Sequence, residues 1–107
     1  MKRKTRICRK YWNLISKKVF VFKNDEVDLE ATCRQIRRYR KIINRYKSYA
    51  QILQKDYSIQ YDYDTLESIR GNLFYISDRF TAAFRLAWLV NVPEKVDELL
   101  KQQSKNQ

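Results

Sequence analysis

The sequence predicts an all-α protein: a single domain over residues 1–107, built as a bundle of three to four helices with one long basic amphipathic helix. Three observations carry this prediction. The 107 residues include one Gly and one Pro, too few to turn the many strands of a sandwich or barrel. Apolar residues recur at alternating spacings of 3 and 4 through two long stretches, the repeat of helices packed lengthwise. Hydrophobic residues make up 44% of the chain, more than a chain that stays unfolded carries.

The first helix is expected over about 3–20. Cys8, Trp12, Ile15 and Val19 share a face, flanked by Ile7, Tyr11 and Leu14. The run Val19–Phe22 is also compatible with a short strand; a helix ending before Lys23 is the preferred reading. The long helix is expected over about 25–57, with Asn24 or Asp25 as N-cap and Asp25, Glu26, Asp28 and Glu30 at the positive end of its dipole. Its seam runs Leu29, Thr32, Ile36, Tyr39, Ile43, Tyr46, Ala50, Leu53, Tyr57. Such a helix would be about 50 Å long.

Tyr57 to Asp64 has no helical period and reads as a connector. Asp64, three residues before Glu67, resembles a capping-box start for a helix over about 65–90. Leu66, Ile69, Leu73, Ile76, Phe80, Ala83, Ala87 and Val90 form its seam, and its second half is apolar nearly all round. Gly71 falls mid-helix, where it costs about 1 kcal/mol relative to Ala; it either permits a close helix approach or marks a weak point. Asn91 and Pro93 end this helix, and Pro93 can open a last one over about 93–103.

The charge points to function. Lys and Arg total 23 against 12 Asp and Glu, a net +11. Residues 1–23 hold nine cations and no acid, while residues 58–107 hold six cations and seven acids. Positive potential therefore belongs to the first half, which suits an anionic partner. On the long helix Arg34, Arg37, Arg38, Lys41 and Arg45 fall within an arc of about 100°, opposite the apolar seam. Arg40 and Lys47 flank them, and no acid lies between residues 31 and 55. Four of the five are Arg, whose planar fork suits phosphate. Lys2, Arg3, Lys4, Arg6, Arg9 and Lys10 form a second basic cluster. Nucleic-acid backbone, RNA or DNA, is the expected partner, bound without much sequence preference because no major-groove reading module is recognisable.

The aromatic residues divide. Tyr39, Tyr46 and Tyr57 belong to the seam, Trp12 anchors the first helix and Trp88 is a core residue, which leaves Tyr49, Tyr61 and Tyr63 as candidates for stacking on bases. The face of Phe80, Phe84 and Trp88 is expected to meet other protein subunits.

Catalysis is not expected. Without His there is no Ser-His or Cys-His pair, and one Gly cannot form a phosphate-cradling loop. Cys8 and Cys33 read as reduced packing residues; Cys8, among Arg6, Arg9 and Lys10, could instead be a reactive thiol. Asp62 and Asp64 lack a third metal ligand, and a helix cap explains Asp64. No metal, cofactor or small-molecule substrate is expected. Phe80–Val92 is too short to span a membrane, and cations interrupt any secretory signal, so a cytoplasmic location (nuclear in a eukaryote) is expected.

Thr32-Cys33-Arg34-Gln35-Ile36-Arg37 resembles the T-x-x-[QK]-[IL]-R stretch of the small subunits of CRISPR effector complexes, and Leu66–Arg79 resembles that family's second helix, with Tyr75 and Arg79 near its usual Tyr and Arg. The resemblance implies a non-catalytic helical subunit of a ribonucleoprotein in antiviral defence, present in several copies. It would line a guide RNA–target groove or hold the displaced strand, with Arg34 and Arg37 as backbone contacts. Two other classes compete: an immunity- or inhibitor-type bundle that neutralises an acidic protein, and a membrane-surface protein whose first 22 residues lie on anionic lipid as a basic amphipathic helix. Membrane binding is the less favoured of these.

Overall fold

A computed structural model describes residues 2–53, 64–79 and 82–105. In chain order the elements are α1 (Lys2–Val19), β1 (Phe22–Lys23), β2 (Glu26–Val27), α2 (Leu29–Arg38), α3 (Arg40–Leu53), α4 (Leu66–Arg79), α5 (Ala82–Leu89) and α6 (Val92–Lys105). The protein is mostly helical, as expected, with one small antiparallel strand pair. Its six described helical segments replace the expected three or four, and none is long and apolar enough to cross a membrane.

The strand pair is the first departure. Phe22 faces Val27 and Lys23 faces Glu26 across a two-residue turn. Asn24 and Asp25 both have positive φ, 54° and 64°, the conformation a tight hairpin of right-twisted strands requires and Asn and Asp tolerate. Neither residue therefore caps the next helix. Asp28 does: its Oδ1 accepts from the Ala31 amide at 3.1 Å. Thr32, fully buried, fastens the hairpin to α2, its Oγ1 accepting from the Val21 amide at 3.1 Å. The Asp28 amide donates to the Val21 carbonyl at 2.8 Å.

The expected helix over 25–57 is the second departure. It begins at Leu29 and is divided at Tyr39, whose φ of −99° and ψ of 14° end α2. Hydrogen bonds continue on either side: the Tyr39 amide donates to the Gln35 carbonyl at 2.9 Å, and the Ile43 amide to the Tyr39 carbonyl at 3.0 Å. The apolar stripe crosses the break, with Ile36 and Ile43 both fully buried. The break falls between Arg37 and Arg40, which both pair with α6. Residues 54–57 lie outside the described part of the chain, as do the connector and Tyr57, Tyr61, Asp62 and Tyr63.

The expected helix over 65–90 is occupied by α4 and α5, with Phe80 and Thr81 between them outside the described residues. Thr65, one residue after the expected Asp64, supplies the cap: its Oγ1 accepts from the Ser68 amide at 3.0 Å. Pro93 is the second residue of α6, where its missing amide proton is no loss.

The core joins all six helices. Trp12, Ile15 and Val19 of α1 meet Ile36 and Ile43 of α2 and α3, with Leu86 and Leu89 of α5, Ile69 and Leu73 of α4, and Val92 and Val96 of α6 completing it. Each such side chain removed from water contributes roughly 1.5–3 kcal/mol. Cys33 is a packing residue, 3% exposed; burial pushes its thiol up to about 11, against the opposing pull of Arg37. Trp88 is also core, at 4% exposed.

Gly71 is exposed on α4, and a Cβ built there meets nothing within 4 Å. It does not serve a close helix approach and is a plain weak point in the helix. Gly71→Ala should therefore stabilise the protein by about 1 kcal/mol, raising the thermal midpoint by roughly 4–8 °C. A calorimetric scan showing an unchanged or lower midpoint would refute this.

Candidate nucleic-acid interface

α1 packs antiparallel to α2 and α3. At one end Gln35 Nε2 donates to the Lys18 carbonyl at 2.9 Å. At the other the rings of Tyr11 and Tyr46 stack with centroids 3.4 Å apart. α5 packs against both α1 and α3, and the Arg85 guanidinium sits 4.8 Å from the centroid of Trp12. One side of the α1/α3 pair is thus occupied by α5, and the opposite side carries exposed residues of both helices, with no other described helix between them and solvent.

That open side is where the cations lie. With Trp12, Ile15 and Val19 turned inward, a rotation of about 100° per residue places exposed Arg6, Lys10 and Lys17 on the outer side of α1. With Ile36, Ile43 and Tyr46 turned inward, the same rotation places exposed Arg34, Arg38, Lys41 and Arg45 on the outer side of α2 and α3. The helices thus present two parallel rows of cations. Leu14 and Ile42, 48% and 37% exposed, fall on the facing flanks of the two helices, between the rows.

Among the described residues no ion pair involves Arg6, Lys10, Lys17, Arg34, Arg38 or Lys41. Glu30 stands one turn before Arg34 without forming an ion pair to it. Arg45 lies 5.8 Å from the Tyr46 ring centroid and Arg38 5.9 Å from that of Tyr39. Like charges three and four residues apart, such as Arg34 with Arg38 and Arg38 with Lys41, destabilise a helix by about 0.2–0.5 kcal/mol a pair. An external polyanion would relieve that repulsion.

Arg37 departs from the expected ridge. It faces α6, where its Nη2 donates to Asp97 Oδ2 at 2.5 Å. Arg40 does the same one turn on, donating to Glu94 Oε1 at 2.5 Å. Both pairs are half-exposed and join the two sides of the Tyr39 break to one helix. Burial works against ionisation of Glu94, but its backbone hydrogen bond and Arg40 prevail and hold the carboxyl below its usual range. The α6 carboxylates thus occupy two guanidinium groups that phosphate could otherwise take.

The remaining expected site residues fall as follows. Arg9 is exposed on the flank of α1 turned away from α3. Lys2, Arg3 and Lys4 belong to the first turns of α1, and their side chains lie outside the described part, as does that of Cys8. Lys17 joins the outer row although it stood outside the expected cluster; its spacing of seven from Lys10 was the signal available. The expected subunit-docking face is corrected in one respect: Trp88 is inside the core and cannot present a surface. The side chains of Phe80 and Phe84 lie outside the described part, as does that of Tyr49. Among the described residues no three His, Cys, Asp or Glu gather as metal ligands. No protein-family model, curated protein or solved structure matches this chain.

Neutralising the competing carboxylates tests this division of the arginines. Glu94→Gln with Asp97→Asn should strengthen retention on a polyanionic resin and steepen the log–log salt dependence of nucleic-acid binding by roughly 1–2. An unchanged slope would mean that Arg37 and Arg40 stay out of reach.

Proposed function

We propose that this chain is a non-catalytic nucleic-acid-binding protein that grips the phosphate backbone with the two cation rows, as a subunit of a ribonucleoprotein complex. The observation that carries the proposal is one face, on α1 and the packed α2 and α3, with seven exposed cations, six of which make no ion pair among the described residues. Six cations of the two rows, Arg6, Lys10, Lys17, Arg34, Arg38 and Lys41, take part in no ion pair among the described residues, while α6 engages Arg37 and Arg40. Arg predominates, in keeping with bidentate phosphate contact. The binding is tolerant of sequence, because backbone phosphates carry no base identity. The resemblance of residues 32–37 and 66–79 to small subunits of CRISPR effector complexes is in keeping with such a role.

Of the rival readings, lipid binding through α1 is disfavoured, because Trp12, Ile15 and Val19 are committed to the core and are not available to a bilayer. An acidic protein partner would use the same face and is separated by its resistance to nuclease.

Reversing Arg34, Arg38, Lys41 and Arg45 to Glu should abolish retention on nucleic acid at moderate salt while leaving the helical circular dichroism intact. For the wild type, five to seven phosphate contacts give a log–log salt slope of roughly −4 to −6 on duplex DNA. Retention that survives the reversal would remove the ridge from the mechanism.

A further inference from the structure

We infer that the ligand is a double-stranded nucleic acid, held with one cation row on each strand. This rests on the proposed backbone binding and goes beyond it by naming the strand state.

The first argument is the doubling of the rows. Arg6, Lys10 and Lys17 on α1, and Arg34, Arg38, Lys41 and Arg45 on α2 and α3, point to the same side of two packed helices. Packed helices lie about 8–10 Å apart, which is comparable with the roughly 6–12 Å across the grooves of a duplex. Each row extends about 16 Å, from the rise of 1.5 Å per residue. A lone strand can follow one row and brings no phosphates to the other. Two strands flanking a groove supply phosphates to both rows at once.

The second argument is the placement of the aromatic rings among the described residues. Proteins that hold unpaired strands use aromatic platforms, each base stacking for about 1–3 kcal/mol. Among the described residues the rings neighbouring the rows are turned inward. Tyr46 is 7% exposed, Tyr11 stacks on it, and Tyr39 is half-buried. The exposed aromatic rings among the described residues, Phe22, Phe74 and Tyr75, belong to β1 and α4. Between the rows stand the aliphatic Leu14 and Ile42, which suit the sugar edges of a groove and offer no π-face to a base.

The test is fluorescence anisotropy with the full chain, using duplex DNA, duplex RNA and each single strand of one arbitrary sequence of about 20 nucleotides, longer than the rows at 3.4 Å per base pair. Either duplex should bind about tenfold or more tightly than its own strands, a difference of about 1.4 kcal/mol. Arg6→Gln, Lys10→Gln and Lys17→Gln together should bring duplex affinity down to the single-strand level. Equal wild-type affinity for duplex and single strand overturns the inference and leaves the backbone-binding reading standing. Absence of binding to every probe overturns both. Duplex preference that survives neutralisation of the α1 row overturns the two-row arrangement.

Discussion

The antiparallel packing of α1 on α2 and α3 decides the direction of every cation in the described rows. Trp12, Ile15, Val19, Ile36 and Ile43 each bury against a shared core, and a helix that turns those residues inward has no choice about which residues it turns outward. The Tyr11–Tyr46 stack and the Gln35–Lys18 hydrogen bond keep the two helices in register over most of their shared length. The buried apolar side chains each contribute more than the repulsion of a like-charge neighbour removes. The core can therefore hold together a surface that is electrostatically unfavourable by itself.

α6 divides the cations into two sets. Arg37 and Arg40 serve the fold, tying α2 and α3 to α6 across the break at Tyr39. Exposed pairs of this kind contribute only about 0–1 kcal/mol each, so their effect lies mainly in orientation. The cations of the outer rows have no such partner on α6. An acid-poor first half and a nearly neutral second half thus divide the work of the fold: the second half supplies carboxylates to one flank and apolar surface to the core, and none of its α6 carboxylates reaches the outer rows.

Much of this was legible in the chain. The 3 and 4 spacing picks out Ile36, Ile43, Ile69, Leu73 and Ile76 as buried, and they are. Pro93 marks the start of the last helix to within one residue. The division at Tyr39 was not legible, because apolar spacing runs unchanged through it and neither Gly nor Pro signals it. The hairpin was only half visible: Val19–Phe22 is compatible with a strand, but Asn24 and Asp25 read as helix caps, and their turn is fixed by Thr32 and Asp28 reaching back to Val21. The outward row was visible on one helix at a time. That Arg37 belongs to a different set depends on where Asp97 lies, 60 residues further on, and no helical wheel contains that. Lys17 was missed because clustering in sequence drew attention to residues 2–10, whereas alignment in space depends on the phase of the whole helix.

Lysine acetylation in the presence and absence of bound nucleic acid, mapped by mass spectrometry, examines the cation face most directly. Lys10, Lys17 and Lys41 on the outer side should be protected by the ligand, while Lys101 and Lys105 on α6 should react as they do in the free protein. Protection confined to α6, or none at the three outer lysines while nucleic acid is demonstrably bound, would contradict the assignment.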